Sequence, residues 1–189
     1  MSETTFNSDL RKPVSIFNYA YKWALIGSVI YILKLYGMML YNDNHYNPQA
    51  GGFIGGLIDI LLVIATMYMC TAEYRKKELE DYMTFGKAFK VSYITGILFA
   101  LFLAAFMYYF HVYQVDYDLV MSEQTDLAIK LLKEKGLTQE QINKQLSLRP
   151  EMSKTPEFAS AALAISGFTL YALFALIVAA ILKRNPPTH

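Results

Sequence analysis

The sequence predicts an all-α membrane protein: a four-transmembrane-helix bundle with a helical extracytoplasmic insert between helices 3 and 4. Three observations predict it. Hydrophobic residues make up 54% of the 189-residue chain and charged residues only 17%, against about a quarter charged in soluble domains. Four apolar runs reach the roughly 20 residues that a helix needs to cross a hydrocarbon core about 30 Å thick. Lys and Arg gather at alternate ends of those runs, which is the pattern that sets orientation in a bilayer. Lipid offers the backbone no hydrogen-bonding partners, and the runs are about twice the length of barrel strands, so helices are required.

Residues 1–22 read as a cytoplasmic tail carrying Arg11, Lys12 and Lys22. The first span is residues 23–41, from Trp23 to Tyr41, with Lys34 inside it. It follows a polar lead, has the length of a full span and lacks a small-x-small cleavage site, so it is expected to be retained as the targeting signal. The connection from Asn42 to Gly52 contains no Lys or Arg and is assigned to the outside. The second span, 53–72, runs from Phe53 to Ala72 and holds Asp59. A cytoplasmic loop, 73–87, carries Arg75, Lys76, Lys77 and Lys87. Interleaved Glu78, Glu80 and Asp81 dilute the run, which reads more simply as a positive-inside flank than as a lipid-binding switch.

The third span is residues 88–113, with Thr84 placed to cap it and Lys90 one turn inside. The fourth, 158–182, is announced by Thr155-Pro156, a capping residue followed by a proline at the first helical position. Lys183, Arg184 and the Pro186-Pro187 pair end it, leaving a cytoplasmic tail, 183–189. Both termini are therefore expected in the cytoplasm. Tyr19, Tyr21, Trp23, Tyr68, Tyr74 and Tyr82 collect on the inner side and Tyr41, Tyr46, Tyr108, Tyr109, Tyr113 and Tyr117 on the outer. Tyr and Trp favour the headgroup level, so the aromatic residues agree with the charges.

Residues 114–157 form the insert. From Asp118 to Lys135, apolar Val120, Leu127, Leu131 and Leu132 follow a helical period for most of its length. Gly136 is placed to close this helix, and Thr138 with Gln141 to form a capping box for a second one, broken near Pro150. The insert reads either as a docking surface for a partner or as a hairpin that caps the bundle or a neighbouring copy.

Lys34 and Asp59 are charged residues inside apolar spans. Each lies roughly 10 Å from the outer end at about 1.5 Å per residue. Intramembrane charges are rare and are usually paired, so an ion pair between them is expected. That pair sets helix register, or it marks a proton or ion pathway. Gly51, Gly52, Gly55 and Gly56 give two overlapping GxxxG spacings, and Ser92, Gly96, Ala100 and Ala104 recur every fourth residue. Such faces let helices approach closely, within one bundle or between copies. A GGxxGG run with no following GK[ST] is not a phosphate loop.

Little else suggests chemistry. The net charge of +1 supplies no field for nucleic acid. The single Cys70 excludes an internal disulfide. His45 and His111 fall on the outer side near Asp43, Asp116 and Asp118, without HxxxH or HExxH spacing, and His189 is terminal, so no metal is expected. Thr66, Ser92, Thr95, Ser166 and Thr169 place hydroxyls in the spans, none beside a His or a second acid in the sequence. No catalytic set or cofactor fingerprint is present, and neither an enzyme nor a cofactor is expected.

The block Glu73-Tyr74-Arg75-Lys76-Lys77, the block Thr84-Phe85-Gly86-Lys87-Ala88-Phe89-Lys90, the stretch Gly136 to Ile142 and the final run ending Ile181-Leu182-Lys183-Arg184 resemble the domain-of-unknown-function 4199 family. The resemblance covers nearly the whole chain in order and spacing. It implies a small four-span protein of the bacterial inner (cytoplasmic) membrane with a helical insert before the last span, and it implies no activity or catalytic residue. The expectation is a non-enzymatic scaffold or accessory subunit that meets the lipid bilayer and a second copy or another membrane protein. The alternative is a small transporter or channel component using Lys34 and Asp59.

Overall fold

Without competing solvent, a backbone amide pairs within its own helix, and helices dominate the computed structural model, which describes residues 14–41, 52–148 and 155–184. They are α1 (Ile16–Tyr41), α2 (Gly52–Glu78), α3 (Phe85–Tyr113), α4 (Tyr117–Glu134), α5 (Gln139–Ser147) and α6 (Pro156–Leu182). Among the described residues there is no strand, only an isolated antiparallel bridge between Met83 and Arg184. α1, α2, α3 and α6 are each long and apolar enough to cross a membrane. The protein is an all-α, four-span, multi-pass membrane protein.

Local chemistry places the helix ends. Thr84, Asp116 and Thr155 accept the Lys87, Leu119 and Phe158 amides at the starts of α3, α4 and α6, with Pro156 in the first turn of α6. Thr138 and Gln141 bond reciprocally at the start of α5. α4 ends at Gly136, whose φ of +79° suits glycine, and the Leu137 amide returns to the Leu132 carbonyl. The helices outrun the apolar stretches. α1 begins at Ile16, ahead of Trp23, and α2 continues to Glu78, past Ala72. No Gly or Pro interrupts either polar flank, so the hydrogen-bond ladder continues beyond the lipid.

α3 is the axis of the bundle. It packs on α1, α2 and most extensively on α6, while α2 also touches α1 and α6. Its buried residues, Val91, Thr95, Phe99, Leu103, Met107 and Phe110 among them, recur at three- and four-residue intervals. In α1 the residue sizes are reversed relative to a soluble helix. Ala20, Ala24, Gly27 and Ser28 are buried, while Leu25, Ile26, Val29, Ile30 and Leu33 are exposed. Small residues admit the neighbouring backbones and large ones face acyl chains, the arrangement expected where lipid replaces water. Ile16 and Leu182 lie at the same end of the bundle. The Val14 amide donates to Glu78 at 3.0 Å and the bridge ties Arg184 to Met83, while α4 and α5 join α3 to α6 at the opposite end.

Candidate functional site

The chemistry-bearing side chains fall into three groups, the first between α1 and α2. Lys34 Nζ lies 2.5 Å from Asp59 Oδ1, donates to the Gly55 carbonyl at 3.3 Å and sits 5.5 Å from the centre of the Tyr31 ring. The helices run in opposite directions from a short connection, so residues equidistant from it share a depth. Carboxylate, carbonyl and ring together surround the Lys34 side-chain nitrogen. Several hydroxyls within the spans are engaged as well, whereas among the described residues the buried Ser28 and Ser160 hydroxyls meet no partner. Thr66 donates to Leu62 O and Thr95 to Val91 O, while Thr71 and Ser92 join α2 to α3 at 2.8 Å. Ser166 donates to its own helix, at Leu163 O.

The small-residue faces occupy two environments. Gly51 lies outside the described residues. At Gly52, Gly55 and Gly56 an added Cβ would meet nothing within 4 Å among the described residues, although Gly55 is buried and its carbonyl receives Lys34 of α1. Ser92, Gly96, Ala100 and Ala104 are buried. A Cβ on Gly96 would strike Met67 and come within 3.0 Å of Tyr171 Cβ, so this face receives α2 and α6. Sequence reasoning missed the tightest approach of α1, where a Cβ on Gly27 would collide with Thr66 and lie 3.1 Å from Phe99. Its signal was present, as Ala20, Ala24 and Ser28 repeat every fourth residue beside Gly27.

At the end where α1 begins and α6 finishes, the acidic residues of the basic run act as staples. Glu73 accepts from Lys22 at 2.7 Å, Lys77 at 2.7 Å and the indole of Trp23 at 2.5 Å, joining α1 to α2. Glu78 accepts from the Tyr19 hydroxyl at 2.6 Å. Asp81 pairs with Arg75 at 2.9 Å and with Arg184, and Arg75 also donates to the Leu182 carbonyl at 2.9 Å. Glu80 and Asp81 adopt positive φ, 47° and 68°, a conformation that costs a non-glycine residue about 1–2 kcal/mol. That turn delivers Asp81 between two guanidinium groups and sets Met83 against Arg184. The charge pattern by itself suggested only that these acids dilute a basic run.

The third group lines an open groove of about 520 Å³ at the opposite end, among His111, Asp116, Tyr117, Asp118 and Glu157. His111 lies 4.9 Å from the Tyr117 ring centre. Burial, and after it the Glu157 carboxylate, pushes the Tyr117 phenol up, keeping it neutral. Asp116 is already committed to capping α4. His45, Asp43 and His189 lie outside the described residues, among which no three His, Cys, Asp or Glu side chains gather as metal ligands.

Compared with known proteins, residues 22–184 match the model of a family described as "Protein of unknown function (DUF4199)". No curated protein and no solved structure matches the chain.

Proposed function

Since the chain belongs to the DUF4199 family of proteins of unknown function, we propose that this membrane protein is a non-enzymatic scaffold or accessory subunit of the bacterial inner membrane. It works through helix packing and through the α4–α5 hairpin, with both termini in the cytoplasm and the hairpin outside. One observation carries the reading. Among the described residues α4 and α5 meet beside their turn and scarcely touch the four long helices, yet each keeps its own cap. A hairpin that adds little to the packing of the described bundle is suited to meeting another chain. Leu119 and Leu131 of α4 and Leu148 after α5 remain exposed. Meanwhile the ionic groups between the helices are engaged with one another, which favours a structural role over catalysis.

The test is extraction in mild detergent, with native mass and co-eluting chains identified. A partner should copurify with the intact chain and be lost when residues 118–148 are replaced by a short Gly/Ser linker. The linker variant should keep its helical circular dichroism. Retention of the same partner by a folded linker variant would refute the assignment to the hairpin.

A second reading, a small transporter or channel component, draws on the exposure that Lys34 and Asp59 retain, 22% and 33% of their side chains. In proteoliposomes, an ion flux unchanged by Lys34→Met combined with Asp59→Leu would end it.

A further inference from the structure

We propose that Lys87, Lys90 and Lys183 form a cradle for an anionic phospholipid headgroup at the end of the bundle where α1 begins and α6 finishes. The inference stands apart from the scaffold role.

It begins with how charge is distributed at that end. Three carboxylates are consumed internally: Glu73 by Lys22 and Lys77, Glu78 by Tyr19, and Asp81 by Arg75 and Arg184. Lys87, Lys90 and Lys183 are exposed, and none has a carboxylate partner among the described residues; the exposed Glu80 makes no ion pair with them. Cations left over from a satisfied network attract an external anion.

Position narrows the anion. Lys87 and Lys90 lie one turn apart near the start of α3, with Lys87 Nζ 5.9 Å from the Tyr74 ring centre. The antiparallel bridge between Met83 and Arg184 sets Lys183 opposite Thr84, the residue that caps α3. Two helix ends thus bring three ammonium groups to one rim. Above the rim, in the last turns of α6, Ile177 and Ile181 are exposed, and Phe85 is exposed at the start of α3. An ammonium cluster beside an apolar flank is complementary to a phosphate that carries acyl chains, and lysines at this level attract anionic lipid. Free phosphate would use the first feature and not the second.

The experiment reconstitutes the full chain in nanodiscs of equal phosphatidylglycerol and phosphatidylcholine, releases it in mild detergent and counts retained lipids by native mass spectrometry. The unmodified chain should retain phosphatidylglycerol several-fold over phosphatidylcholine. Lys87→Gln/Lys90→Gln/Lys183→Gln should bring the ratio to parity, whereas the corresponding triple Arg variant keeps it. Lys130→Gln/Lys133→Gln/Lys135→Gln, at the opposite end, should leave the ratio unchanged. A preference that survives the first triple variant, or falls equally in the last, overturns the proposal. So does displacement of the lipid by millimolar inorganic phosphate. Should the first variant not fold, its three single variants should each lower the ratio, and three unchanged ratios overturn the proposal equally.

Discussion

Lys34 and Asp59 show what one residue can do in a medium that solvates no charge. Their side chains retain partial exposure, and breaking the pair from either side leaves an uncompensated charge against lipid. Lys34→Met and Asp59→Leu should each cost roughly 1–3 kcal/mol, below the range for a fully buried pair. The double variant should cost less than the sum, and thermal unfolding of all four chains in nanodiscs measures the coupling. Strict additivity would mean that the contact contributes nothing. Gly27 and Gly55 offer a second comparison. Gly27→Val should destabilise by about 1–3 kcal/mol because its Cβ has no space beside Thr66 and Phe99. Gly55→Ala meets nothing and should be neutral, or stabilise by up to about 1 kcal/mol through helix propensity. Both glycines are plain in the sequence, but which one is crowded depends on a neighbour far away in the chain.

Among the elements, the helix ends were the most legible and the α2–α3 turn the least. Thr84, Thr155-Pro156 and the Thr138–Gln141 pair act through bonds within four residues, so local sequence contains the whole interaction. The turn at Glu80 and Asp81 is different, because its strained backbone is held not only by Arg75 nearby but also by Arg184, more than a hundred residues away. Asn tolerates positive φ nearly as well as Asp, so Asp81→Asn removes the ion pairs and spares the turn. The variant should loosen the hold on Arg184, and tryptic release of a C-terminal tag in detergent should quicken several-fold. An unchanged cleavage rate would show that the backbone bridge to Met83 suffices without the charges.

For the molecule as a whole, orientation is the property most open to measurement. Cys70 is fully buried and should stay unlabelled, which provides a silent background for engineered thiols. In intact cells a membrane-impermeant maleimide should label Lys130→Cys on α4, and should label Lys183→Cys only after permeabilisation. The reverse pattern would invert the proposed topology. The chain's own chemistry determined that four helices cross a membrane, because span length, apolar content and amide pairing are properties of each segment and need no neighbour. The depths of Lys34 and Asp59 follow from residue counts along two consecutive helices. Tertiary structure alone decided that α3 is the axis, that a Cβ is crowded at Gly27 and unhindered at Gly55, and that Glu73 and Asp81 staple the end where α1 begins and α6 finishes. In lipid, the rotation of a helix leaves little trace in its hydrophobicity, because buried and lipid-facing surfaces are both apolar, and the choice of face is made only when side chains of different size meet.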